Sequence, residues 1–135
     1  MNVQFRSPSE NDRSLLEGWI RDDPDHPGGY SSDVFYDPNA LSMIIGDKEP
    51  AFFLRLDPMA PDSVKVSVQF GPNRLKNGKV LLRMWPVLKE RVKAAGIKRM
   101  VYESESSYLV GFCNRCFGFT AIEGRPNWYE LKLEG

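Results

Sequence analysis

Three cations, Arg74, Lys76 and Lys79, sit in a short polar segment between a strand pattern and a helical one. Ahead of them Val64–Phe70 (VKVSVQF) alternates apolar and polar side chains, the period of a half-buried strand. Gly71 to Lys79 (GPNRLKNGK) holds no hydrophobic run and reads as a turn. From Val80 the apolar residues Val80, Leu81, Met84, Leu88, Val92 and Ala95 recur with a helical period. A strand, a basic loop and a helix N-terminus form an anion site, because the first N–H groups of the helix lack partners and its positive dipole end faces the loop. The chemistry this predicts is the binding of a phosphorylated molecule.

Other reactive side chains fit less well. Cys113-Asn114-Arg115-Cys116 is a CxxC pair. A redox pair of this type sits at a helix start, where a thiol is acidified; this one falls near a helix end, beside Phe117-Gly118-Phe119. A structural zinc needs about four ligands, and the chain has two cysteines and one histidine, so no metal site is expected. The cysteines read as small buried hydrophobes on a packed helix. His26, flanked by Asp22, Asp23 and Asp25, reads as a solvated loop histidine, with general base or metal ligand as the other readings. Trp19, Trp85 and Trp128 read as core or partly buried surface.

A chain of 135 residues, 41% apolar and 27% charged, predicts one globular domain over residues 1–135. No apolar run approaches the roughly 18 residues of a membrane span. The opening residues lack the basic region and apolar core of a signal peptide, which predicts a cytoplasmic protein. The net charge is zero but unevenly spread. Residues 1–63 carry 12 acidic and 5 basic side chains, and residues 72–99 carry 1 and 9. Lys89, Arg91, Lys93, Lys98 and Arg99 read as the solvated face of a helix and the turn after it. Nucleic acid is disfavoured as a partner, since no aromatic–basic interleaving accompanies the charge.

The positioning elements follow from pattern. Val3–Arg6 reads as a short strand. Ser9 and Asp12 resemble a capping box ahead of a helix with Leu15, Leu16, Trp19 and Ile20 on its apolar face. Prolines and paired glycines end that helix, and residues 22–40 read as loop, with a short helix after Pro38. Ser42–Asp47 and Ala51–Leu56 are strand candidates before Val64–Phe70. The long helix should kink at Pro86 and stop at Gly96. Ile97–Glu103 follows as a strand, which implies a parallel pair and a right-handed crossover. A short helix, Ser106–Phe117, then leads to a hairpin of Phe119–Glu123 and Trp128–Leu133. The fold class is α+β, a mixed central sheet with flanking helices.

This order, over nearly the whole chain, resembles the GNAT family of N-acetyltransferases. Phe5-Arg6-Ser7-Pro8-Ser9-Glu10-Asn11-Asp12 is similar to the family's opening strand with an arginine and an early helical acid. Val64–Gly96 matches the strand–loop–helix that holds the CoA pyrophosphate there. Phe117-Gly118-Phe119 is similar to the glycine–phenylalanine pair that closes the family's fourth helix. Arg74-Leu75-Lys76-Asn77-Gly78-Lys79 stands where the family has Arg/Gln-x-x-Gly-x-Gly/Ala, so Asn77 and Lys79 replace small residues. Asn114 falls on the place of a tyrosine that protonates the leaving thiolate, a task an amide does not perform.

The resemblance implies acetyl transfer from acetyl-CoA to an amine acceptor by direct attack of the amine on the thioester. Val68, Gln69 and Phe70 would pair through their backbone with the pantetheine arm. Arg74, Lys76, Asn77, Gly78 and Lys79 would hold the pyrophosphate, with Asn114 beside the thiol. Glu103, at the end of its strand where the sheet splays, would take the amine proton directly or through water. A homodimer is left open. The altered loop and the missing tyrosine raise an alternative: a GNAT-fold protein that binds or builds without catalysis, such as the acetyltransferase-like proteins of some phages.

Overall fold

Ala51, Phe52, Phe53 and Leu54 are consecutive, and none is more than 2% exposed. A strand carrying them must be covered on both faces. In the computed structural model, which describes residues 2–133, that strand is β3 (Pro50–Met59), third in a mixed seven-stranded sheet. The others are β1 (Gln4–Arg6), β2 (Leu41–Gly46), β4 (Ser63–Phe70), β5 (Arg99–Glu103), β6 (Thr120–Ala121) and β7 (Trp128–Lys132). The helices are α1 (Arg13–Asp22), α2 (Arg74–Ala94) and α3 (Ser107–Phe117). The sheet order is β1-β2-β3-β4-β5-β7-β6. Only β4 and β5, joined through α2, pair in parallel, as the strand–helix–strand pattern implies.

Each face has its own apolar cluster. On one, α1 packs Leu16 and Ile20 against Phe35, Ile44 and Phe53. On the other, α2 packs Val80, Leu81, Met84 and Leu88 against Phe52, Leu54 and Met100, and α3 adds Cys113 and Phe117. The capping box forms: the Asp12 carboxylate accepts from the Ser9 N–H at 2.8 Å and from both terminal nitrogens of Arg6. Those bonds, above all that from Arg6, hold the Asp12 carboxyl down to about 2. Gly96 and Gly118 follow the helix ends with φ of 85° and 84°, a left-handed backbone that glycine adopts without a side-chain clash.

Three local expectations are corrected. The long helix begins at Arg74, not Val80. Asn73 caps it by accepting from the Lys76 N–H at 3.1 Å, and its polar first turns leave no apolar period to read. The helix continues past Pro86, which lies inside it as expected. The short helix of the 22–40 segment is a 3-10 turn at Ser32–Tyr36, ahead of Pro38, capped by Ser31 accepting from the Asp33 N–H. The closing hairpin is shorter on its first side, where β6 keeps two residues.

Because Phe53 is fully enclosed, Phe53→Ala should lower unfolding free energy by about 3–5 kcal/mol in urea titration. Leu82→Ala, on the exposed side of α2, should stay within about 0.5 kcal/mol.

Candidate active site

The parallel pairing of β4 with β5 spans three residue pairs, Ser63–Arg99, Val64–Met100 and Lys65–Val101, and then stops. Beyond it β4 stays paired to β3 through Phe70, while β5 stays paired to β7 through Glu103. The strands diverge and open a cleft of about 930 Å3. Its wall exposes backbone. The Gly71 N–H donates to Ala51 O at 3.0 Å, so in this antiparallel register Gly71, Gln69 and Ser67 turn their main-chain groups to β3. Val68 and Phe70, alternating with them, turn theirs into the cleft. This is an open strand edge inside a sheet.

The edge runs onto the start of α2. The N–H groups of Arg74 and Leu75 have no acceptor among the described residues, as expected for the first turn of a helix. Arg74 lines the cleft, its guanidinium 4.7 Å from the Tyr108 ring centroid on α3. Gly78 also lines it; a Cβ there would stand 3.7 Å from Phe112, across the gap between α2 and α3. Of the remaining loop candidates, two are already engaged and one lies outside the cleft lining. Lys76 reaches back to Asp47 at 3.3 Å and Glu49 at 3.7 Å. Asn77, 7% exposed, lines the cleft but donates its amide to Gly71 O at 2.8 Å, and so fixes the strand-to-helix turn. Lys79 is exposed and lies outside the cleft lining.

Strand alternation assigns the two faces of the cleft. Val66, Val68, Phe70 and Tyr102 pack with the α2–α3 cluster. Ser67, Gln69 and Glu103 therefore face α1 and the segment after it. Glu103 lines the cleft at the exposed end of β5. Gln69 is fully buried and lies outside the cleft lining. It accepts from the Tyr30 hydroxyl and donates to Asp23 at 3.0 Å and to Phe70 O at 2.9 Å. It thereby ties the α1 loop to β4. Sequence reasoning missed that Asp22 to His26 line this same cleft, because nothing local signals contacts across 46 residues.

On the α3 face Asn114 accepts from the Tyr102 hydroxyl at 3.5 Å, and Cys113 and Tyr102 both line the cleft. Burial, with the nearby Cys113, raises Tyr102 well above the usual phenol range. Burial likewise pushes the Cys113 thiol up to about 11, against the lowering effect of the nearby Tyr102 hydroxyl. Cys113 is therefore protonated at neutral pH. Cys116 corrects an expectation: it is exposed, not buried. Among the described residues no cluster of metal-ligating side chains is present, and no helix is long and apolar enough to cross a membrane.

Solved structures match this architecture over nearly the whole chain. A domain from Methanocaldococcus jannaschii has a TM-score of 0.76 at 18% identity, over 98% of this chain and 99% of that one. A GNAT-family acetyltransferase from Staphylococcus aureus scores 0.75 at 9% identity, over 98% and 100%. The fold is that of the GNAT acetyltransferases. N-acetylglutamate synthase from Neisseria gonorrhoeae, solved with coenzyme A and N-acetyl-glutamate, scores 0.71 at 15% identity; the match covers all of this chain but 36% of the synthase. No family model matches the chain, and no curated protein does.

The contrast between the buried Cys113 and the exposed Cys116 predicts a graded titration. With a chromogenic disulfide reagent at neutral pH, Cys116 should react quickly and Cys113 only after unfolding. Rapid reaction of both in the folded protein would place Cys113 at an open surface.

Proposed function

We propose that this GNAT-fold protein binds acetyl-CoA in the β4–β5 cleft and transfers the acetyl group to an amine. The observation that carries the reading is the open β4 edge leading directly onto a helix start whose Arg74 and Leu75 N–H groups have no acceptor among the described residues. An extended, amide-containing arm satisfies strand-edge groups as an added strand does. A pyrophosphate suits the N–H groups of Arg74 and Leu75 together with the Arg74 guanidinium. The pantetheine would take the Val68 and Phe70 N–H groups, in a cleft where Gly78 keeps α2 close to α3. Coenzyme A in the Neisseria synthase supports the same ligand class here.

The acceptor would enter from the α1 face, where Glu103 supplies a carboxylate able to bind an ammonium and draw off its proton. The neutral amine attacks the thioester carbonyl; the C–N bond forms as the C–S bond breaks. The tyrosine place of the resembled helix is held by Asn114, so the thiolate leaves without a phenol donor. CoA's thiol resembles a free cysteine, with a pKa of roughly 8.5, and is a tolerable leaving group unaided.

The diversion of Lys76 toward Asp47 and Glu49 favours a second reading: a protein that keeps the fold and binds weakly or without turnover. Calorimetric titration with CoA and acetyl-CoA separates the two. Arg74→Ala should weaken CoA by about 1–3 kcal/mol, and affinity should fall with added salt. Lys76→Ala, whose ammonium is already engaged, should change it less. No heat of binding at millimolar CoA would remove the acyl-CoA reading.

A further inference from the structure

Among the groups lining the cleft that could accept a proton, Glu103 and His26 are held very differently. Glu103 is exposed, and its carboxylate has neither a hydrogen bond nor an ion pair among the described residues. A carboxylate free to change rotamer is a poor positioned base, since alignment supplies much of the effect. His26 is oriented. Its Nδ1 lies 2.9 Å from Asp23 Oδ2, and its ring packs edge-on against Tyr30 with centroids 5.3 Å apart. A carboxylate only accepts, so in the neutral ring Nδ1 carries the hydrogen and Nε2 keeps the lone pair.

Asp23 is fixed in turn. Its other oxygen accepts from the Asp25 N–H at 2.8 Å, and Oδ2 also accepts from the fully buried Gln69. Burial works against its charge, and the bonds from His26, Asp25 and Gln69 outweigh that and hold the carboxyl below its usual value. A chain Tyr30–Gln69–Asp23–His26 thus runs from the interior of β4 to a ring that remains 48% exposed at the cleft wall. That is an oriented imidazole with its free nitrogen available to a ligand.

We infer that His26, held by Asp23, is the base that takes the proton from the acceptor amine, and that Asp23 and Gln69 are positioning residues for it. The inference rests on the acetyltransferase reading. An ammonium R–NH3+ gives one proton to Nε2. The neutral amine adds to the thioester carbon, a C–N bond forms, the C–S bond breaks, and CoA leaves as thiolate. The second nitrogen proton ends on the thiolate, and the imidazolium returns its own to solvent, which the half-exposed ring reaches. Glu103 then serves to attract the cation rather than to take its proton.

The test uses the full chain with acetyl-CoA and three probe amines: n-butylamine, spermidine and a lysine-containing tripeptide. His26→Ala should bind CoA in calorimetry as the wild type does, lose about 100-fold in kcat with little change in KM for acetyl-CoA, and recover turnover when free imidazole is added. Glu103→Gln should raise KM for the amine more than it lowers kcat. Wild-type turnover in His26→Ala, or a loss that imidazole does not rescue, overturns the inference while leaving acyl-CoA binding intact. A wild type that binds CoA but acetylates none of the amines overturns it as well; one that binds no CoA removes the acetyltransferase reading with it. Independently of any amine, His26 is the only histidine, so its ring nitrogens give one set of 15N signals. At a pH where the ring is neutral, they should report Nδ1–H with bare Nε2 in the wild type and a mixture of tautomers in Asp23→Asn. A wild-type ring protonated on Nε2 alone contradicts the inference.

Discussion

Everything about this chain's site depends on how few residues join β4 to β5. Eight residue pairs bind β4 to β3, and five bind β5 to β7, against three between β4 and β5. Each central strand is held more firmly by its outer neighbour than by the other. On the β5 side the grip is reinforced by aromatic packing, with Tyr102 stacked on Tyr129 at 5.2 Å and meeting Phe119 edge-on at 5.0 Å. The sheet is thus two ribbons joined at one corner. Buried or half-buried main-chain groups seek partners, and the separation leaves those of Val68 and Phe70 facing a cleft that a ligand strand can fill.

The helices keep that opening in shape. α2 starts where β4 ends, and the Asn77 amide bond to Gly71 O locks the turn between them. A side chain at Gly71 would stand 2.8 Å from Trp19 and 3.0 Å from Ala51 O, so glycine lets α1 close on the turn. On the α1 face the 22–40 segment is anchored from three sides. Arg13 donates to Ser32 and Asp33 at 2.9 and 2.7 Å. Arg55 donates to Val34 O and Asp37 at 2.6 and 3.0 Å. Gln69 holds Tyr30 and Asp23. A segment without regular structure is in this way fixed against the cleft, which lets it contribute aligned groups to the site.

Much of this was legible where the signal is local. The alternation in Val64–Phe70, the helical period after Val80, the Ser9–Asp12 capping box and the glycines after α2 and α3 each mark an element through its own spacing. The parallel crossover followed from element order, which also carried the resemblance to the GNAT fold, and the splayed sheet was implied by that resemblance alone. Illegible were features decided by distant partners. Gln69 sits at a polar position of an alternating strand, which reads as solvent-facing, yet it is fully buried because Tyr30, Asp23 and Phe70 O satisfy its amide. Lys76 reads as a phosphate cation and is instead drawn to Asp47 and Glu49, carboxylates from the β2–β3 turn. His26 reads as a solvated loop histidine, and only folding brings it to the cleft wall.

The central claim is that the free edge of β4 is where the ligand's chain lies. Residue-resolved amide hydrogen exchange with and without saturating CoA tests it most directly. The Val68 and Phe70 amides should become strongly protected on CoA addition, along with those of Arg74 and Leu75, while the Gln69 amide, already paired to β3, changes little. CoA binding that leaves the Val68 and Phe70 amides exchanging at their free rates would contradict the account.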